Sequence, residues 1–167
     1  IYYMSCALGA SSCIKWNNEN NYAKGYNKEK SIFELDKSID RIIYFAGWSD
    51  KINQVFGSVN PVASSHYNFT VLEPTGVVGL ISSEESPLLG LISLIIPAIV
   101  TGNTTVIIAS EKYPLTSISL AEVISNSDVP GGVVNILTGS KSELIPHLAQ
   151  HMDVNSIGFT EEKKDLR

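Results

Sequence analysis

The chain has 167 residues, 44% of them hydrophobic, and 12 Lys+Arg against 17 Asp+Glu give a net charge of −5. A chain of that length buries roughly 70% of its unfolded surface, so it holds a core unaided, and two cysteines are not needed as a framework. No basic stretch neutralises a run of phosphates, which excludes nucleic acid as a partner, and no apolar run reaches the roughly 20 residues that cross a bilayer.

The first 14 residues read as a short helix, and the polar, Asn-rich stretch from Asn17 to Lys30 reads as a linker. Cys6 and Cys13 lie here with no His or carboxylate at ligand spacing, so they make no zinc site. Ser31 followed by Glu34 fits a capping box, and Ile32, Leu35, Ile39, Ile42, Ile43, Ala46 and Trp48 recur at helical spacing, predicting a helix over 32–54 that Gly57 ends. A loop at 60–65 and a strand at 67–72 follow. A regular rhythm then begins: strand 76–82, helix 87–101, strand 104–109, helix 115–126, strand 132–137, helix 142–152 and strand 155–159. The run LLGLISLIIPAIV from Leu88 to Val100 is a buried helix. Strands that are apolar throughout belong to a sheet covered on both faces, so the fold class is α/β, a doubly wound, Rossmann-like parallel sheet preceded by a long helix.

In such a sheet ligands sit at the carboxyl ends of the strands. The loops there are Ser82–Ser86, Ala109–Pro114, Thr138–Ser142 and the segment from Thr160. Glu84 and Glu85, just before Pro87, read as carboxylates that satisfy the dipole of the following helix, against a second reading of acid–base or metal work. His147 and His151 share i, i+4 spacing without a third ligand, and with His66 they read as surface or satisfied histidines. No G-x-S-x-G elbow offers a hydrolase nucleophile, and Gly139-Ser140-Lys141-Ser142 is only a loose phosphate cradle. Asn68-Phe69-Thr70 and Asn103-Thr104-Thr105 match the glycosylation sequon, which matters only in a secreted protein. The chain starts at Ile1 without a signal-peptide pattern, and it is expected to be cytoplasmic and part of a longer protein.

Tyr44-Phe45-Ala46-Gly47-Trp48-Ser49-Asp50-Lys51 resembles the YYAGWADK helix of the aldehyde dehydrogenase superfamily, and Glu73-Pro74-Thr75-Gly76-Val77-Val78-Gly79 resembles its EPxGVVG strand. Pro87-Leu88-Leu89, Thr101-Gly102-Asn103-Thr104, Ser110-Glu111, Pro130-Gly131-Gly132-Val133-Val134-Asn135 and Phe159-Thr160 continue the match in the family's order. The resemblance covers about 130 residues and implies three segments: an N-terminal helix and linker at 1–30, an incomplete dinucleotide-binding domain at 31–160 with one oligomerisation strand near 66–72, and a charged tail at 161–167.

The departures from that pattern are at cofactor-facing positions. Glu85 stands where PWNFPLL has the oxyanion asparagine, and losing such a donor typically costs about 10²–10³ in rate. Ile108 replaces the lysine of KPSE, while Glu111, the ribose partner, is kept. Of the glycine pair after the third strand Gly139 remains and Lys141 replaces the other, and FTGS has become Phe159-Thr160-Glu161-Glu162. The family's catalytic Cys and general-base Glu belong to segments beyond residue 167. An acidic residue just before PLL also resembles the second, degenerate dehydrogenase-like region of the superfamily's sixteenth family. The resemblance therefore implies a non-catalytic domain without a cofactor or metal, Glu111 and Gly139 being the remnants of the cofactor site. Its partners would be the rest of the parent chain and a second copy or another protein. The rival expectation is a piece of an active NAD- or NADP-dependent aldehyde oxidoreductase whose thiol lies outside this chain.

Overall fold

The computed structural model describes residues 28–160, so the expected helix at 1–14, both cysteines, Glu161, Glu162 and the charged tail lie outside the described residues. Helix α1 spans Lys28–Ala46, and after a turn the short α2 covers Ile52–Phe56. The single helix expected over 32–54 is thus two. Ala46 to Lys51 form hydrogen-bonded turns, with Gly47 N–H on the Ile43 carbonyl and Trp48 N–H on that of Phe45. The aromatic rings of the YFAGW stretch explain this corner: Tyr44 meets Phe45 edge-on at 5.2 Å, and Trp48 lies 6.3 Å from both Tyr44 and Phe56.

Two short strands, β1 (Ser58–Asn60) and β2 (Asn68–Thr70), pair antiparallel as a separate ribbon. Sequence reading finds β2 within its strand 67–72 but assigns no strand at β1, because three residues are too few to show alternation. The remaining elements follow the expected rhythm: β3 (Val77–Ile81), α3 (Pro87–Val100), β4 (Thr104–Ile108), α4 (Pro114–Ser125), β5 (Val134–Leu137), α5 (Lys141–Gln150) and β6 (Ser156–Phe159).

The four later strands make one parallel sheet in the order β5-β4-β3-β6, with Val77 opposite Thr104, Thr105 opposite Val134 and Val78 opposite Ser156. Successive residues of β3 and β4 feed opposite faces. Leu80 and Ile107 point into the larger core with Leu35 and Ile42 of α1, Leu88, Leu91, Ile92, Ile95 and Ile96 of α3, and Leu120 of α4. Ile81 and Ile108 point the other way, under Leu148 of α5. Fully burying such a side chain contributes about 1.5–3 kcal/mol, so α3, apolar all round, is fixed by its place in this layer. Among the described residues no helix is long and apolar enough to cross a membrane.

The glycines of the EPTGVVG and TGNT motifs serve the turns at the start of β3 and β4. Gly76 has φ +120° and Gly102 φ +85°, backbone that favours glycine. Asn103 joins the two turns: its Oδ1 accepts from Gly76 N–H at 3.0 Å, and its Nδ2 donates to the Ala98 carbonyl and Thr101 Oγ1. This asparagine is 9% exposed, so of the two sequons only the one at Asn68 is open to solvent.

Candidate functional site

The strand order reverses between β3 and β6, which places the ligand crevice of this topology at the carboxyl ends of those two strands, with the loops after β4 and β5 along the same edge of the sheet. The loops there are joined by one ion pair. Glu84, after β3, lies 2.7 Å from the Lys141 ammonium at the first residue of α5. Its two carboxylate oxygens also accept from Ser110 Oγ at 2.5 Å and from the backbone N–H groups of Glu111 at 3.1 Å and Lys112 at 3.3 Å. Lys141 is 9% exposed and donates a second bond from Nζ to the Ser82 carbonyl at 2.5 Å. Burial pushes the Glu84 carboxyl up, but the Lys141 ammonium, the Ser110 hydroxyl and the two amides outweigh it and hold it at about 2, against 4.5 ordinarily.

This arrangement corrects the expected role of Glu84 and Glu85 as caps of the following helix. The first turn of α3 has no acidic residue and its N-cap, Ser86, makes no side-chain bond. Glu84 turns away across the strand ends, and Glu85 is exposed, its N–H bonded to Ser83 Oγ at 3.2 Å. The free amides of α3 are instead met by Glu34 of α1, whose Oε1 accepts from Leu88 N–H at 3.1 Å and Leu89 N–H at 3.2 Å. The capping box of Ser31 and Glu34 is corrected likewise. Helix α1 begins at Lys28, Ser31 lies inside it with its hydroxyl buried and unpaired, and Glu34 serves a helix 54 residues away. Glu34→Ala is expected to cost about 1 kcal/mol in urea unfolding and to speed amide exchange at Leu88 and Leu89. Unchanged exchange at those two amides would rule out the capping role.

The other expected site residues fall as follows. Glu111 is exposed, and its Oε1 accepts from the Lys141 backbone N–H, capping α5. Gly139 and Ser140 sit beside it and, with Ser110, Glu111, Pro114 and Thr138, line an open cleft of about 450 Å³ between the starts of α4 and α5. Ile108 is fully buried under α5, in a cluster with Ile81 and Leu148. His147 and His151 border an apolar groove beneath α5, His151 Nδ1 lying 3.9 Å from Asp153, and among the described residues no three metal-ligating side chains cluster. His66 bonds Ser64 Oγ at 2.9 Å.

Sequence reasoning missed the pairing of Glu84 with Lys141. The available signal was a new acid and a new base in two loops that the topology sets side by side. Glu34 carried no such signal, since its local spacing already had an explanation.

The amides of Glu111 and Lys112 and the Lys141 ammonium are thus engaged by Glu84, and the α3 amides by Glu34. The class defined by the fold is clear: a doubly wound domain with its loops gathered at the carboxyl ends of a parallel sheet. A sequence model of the aldehyde dehydrogenase family matches residues 18–164, and the chain belongs to that family. It is 37% identical over 129 residues to cytosolic aldehyde dehydrogenase 1 of Elephantulus edwardii, a match that covers 77% of this chain and 25% of that protein. The chain thus spans about a quarter of the length of the curated relatives it matches. Among solved structures it resembles PnpE from Pseudomonas sp. WBC-3 in complex with nicotinamide adenine dinucleotide: TM-score 0.87, 29% identity, covering 93% of this chain and 31% of that one. It also resembles glyceraldehyde-3-phosphate dehydrogenase GapN from Methanocaldococcus jannaschii complexed with NADP: TM-score 0.85, 28% identity, covering 94% of this chain and 34% of that one.

Proposed function

We propose that this chain is an aldehyde dehydrogenase-like domain that takes no part in catalysis, holds no dinucleotide, and serves as a structural or protein-contact module of its parent protein. The observation that carries this reading is the Glu84–Lys141 pair, which ties three loop ends together across the crevice. Glu85, exposed at the position of the family's oxyanion asparagine, supports it, because a carboxylate cannot stabilise a developing oxyanion. The similarity to the degenerate second region of the sixteenth family belongs to the same reading. A contact role is supported by apolar side chains left in solvent on the β1–β2 ribbon and its flank, where Val59 is 64% and Tyr67 74% exposed. A second copy of the chain and another segment of the parent protein are both occupants of suitable chemistry.

A second reading, part of an NAD- or NADP-dependent aldehyde oxidoreductase, is favoured by the cleft at Glu111 and Gly139 and by the cofactors bound to the two solved relatives. Calorimetric titration of the full chain with NAD and NADP separates them. The expected result is no saturable heat with either. Micromolar binding would put the oxidoreductase reading first.

A further inference from the structure

We propose that the imidazoles of His147 and His151, at the C-terminal end of α5, chelate a divalent transition cation of the nickel(II) and copper(II) kind, with Asp153 orienting the His151 ring. The site is independent of the reading above, because it lies at the opposite end of α5 from Lys141 and the loops that Glu84 joins. Helical geometry brings the two rings together. Helix α5 ends at Gln150, and His151 follows with φ −73°, close to the helical value, so its Cβ still stands one turn beyond that of His147. Side chains four apart on a helix have Cβ atoms about 5–6 Å apart, within the span of two imidazoles on one cation. Both rings border the groove beneath α5, so they leave the helix on the same side, and both are exposed to the solvent that delivers a cation. The partial negative charge of a helix C-terminus favours a cation there.

Asp153 decides which nitrogen of His151 is offered. Its backbone N–H lies 3.3 Å from His151 Nδ1, and its carboxylate Oδ2 lies 3.9 Å from the same atom. Nδ1 is thus turned to Asp153, and Nε2 is the nitrogen left for a metal. When Nε2 gives its lone pair to a cation, the ring proton resides on Nδ1 and the Asp153 carboxylate accepts it, replacing the amide contact with a charge-assisted one. A carboxylate placed behind a ligating histidine in this way fixes the tautomer and raises the basicity of the ligand. The ligand set also selects the cation. Two imidazoles fall short of the closed tetrahedral set of a structural zinc, and magnesium and calcium require oxygen donors, whereas nickel(II) and copper(II) take imidazole nitrogens beside water in a tetragonal site.

The test titrates nickel(II), which cysteine thiols do not reduce, into the full chain without an affinity tag, and follows the amide resonances of Ala149 to Asp153, which a bound paramagnetic ion broadens. This local readout separates the site from nickel held elsewhere on the chain. Saturable broadening at micromolar nickel is expected, and none with magnesium at the same concentration. His147→Ala and His151→Ala should each raise the midpoint at least about tenfold, because either one removes the chelate. Asp153→Asn should raise it about tenfold with both rings in place. His147, His151 and Asp153 are all exposed, so the variants keep the fold, which circular dichroism checks. Resonances untouched by millimolar nickel would overturn the proposal. So would a midpoint in His147→Ala equal to that of the unmodified chain, since His151 would then bind alone. An unchanged midpoint in Asp153→Asn would overturn the orienting role of that carboxylate.

Discussion

Replacing Glu84 with Gln is expected to lower stability by about 2 kcal/mol at pH 7, and replacing Lys141 with Met by a similar amount, with the double variant well short of the sum. Removing one partner of a buried ion pair typically costs about 3–5 kcal/mol, and here the 23% exposure of the Glu84 side chain lets water recover part of that. Coupling of about 1–2 kcal/mol in a double-mutant cycle follows from direct contact at 2.7 Å. The pH dependence has a definite sign. The carboxyl is held at about 2 in the folded chain and titrates near 4.5 ordinarily, so its stabilisation is complete above about 4.5 and is lost as pH falls toward 2. In urea unfolding, the gap between the chain and Glu84→Gln should stay constant from pH 7 to about 5 and narrow by pH 3.5. A gap unchanged at pH 3.5, or absent at pH 7, would mean that Glu84 lies in solvent.

The fold is legible in the sequence because its strongest signals are local. Val77–Ile81 is apolar throughout, Thr104–Ile108 is β-branched throughout, and the runs are bounded by Gly76, Gly102 and Pro87, so strand and helix alternate visibly along the chain. The boundary errors also have local causes. Ser31 and Glu34 imitate a helix start although α1 begins at Lys28, and the β1 strand is three residues long with an exposed pattern. The candidate site is less legible because its bonds are long-range. Glu84 meets Lys141 57 residues away, and Glu34 meets Leu88 54 residues away, distances over which spacing carries no information. Resemblance to the family marks the altered positions one at a time. It gives no hint that the new carboxylate and the new ammonium neutralise each other.

Turn and core chemistry are among what the sequence retains from the family. Gly76, Gly102 and Gly132 all have positive φ, and Asn135 holds the last of these turns with its Nδ2 on the Gly132 carbonyl at 2.8 Å. These residues build a sheet with its loops in register whatever those loops bind. Charged residues are tolerated in these loops where they satisfy one another, as at Glu84 and Lys141, and core positions have no such latitude.

Leu91→Ala is accordingly expected to cost about 3 kcal/mol, the larger of the two effects. Leu91 is fully buried at the centre of α3, among Leu35 and Ile42 of α1, Leu80 and Ile107 of the sheet and Leu120 of α4. Its partners are themselves buried core side chains, so the void closes poorly and a cavity term adds to the lost transfer energy. Leu115→Ala is the control, since that leucine is 52% exposed on the first turn of α4 and its truncation should stay within about 0.5 kcal/mol. At about 2–4 °C per kcal/mol for a chain of this size, Leu91→Ala should lower Tm by about 6–12 °C while Leu115→Ala barely moves it. Equal shifts for the two leucines would mean that α3 is not packed between α1 and the sheet. That packing also fixes the Glu34 contact with the start of α3, so the pair of variants tests the layer on which the candidate site is built.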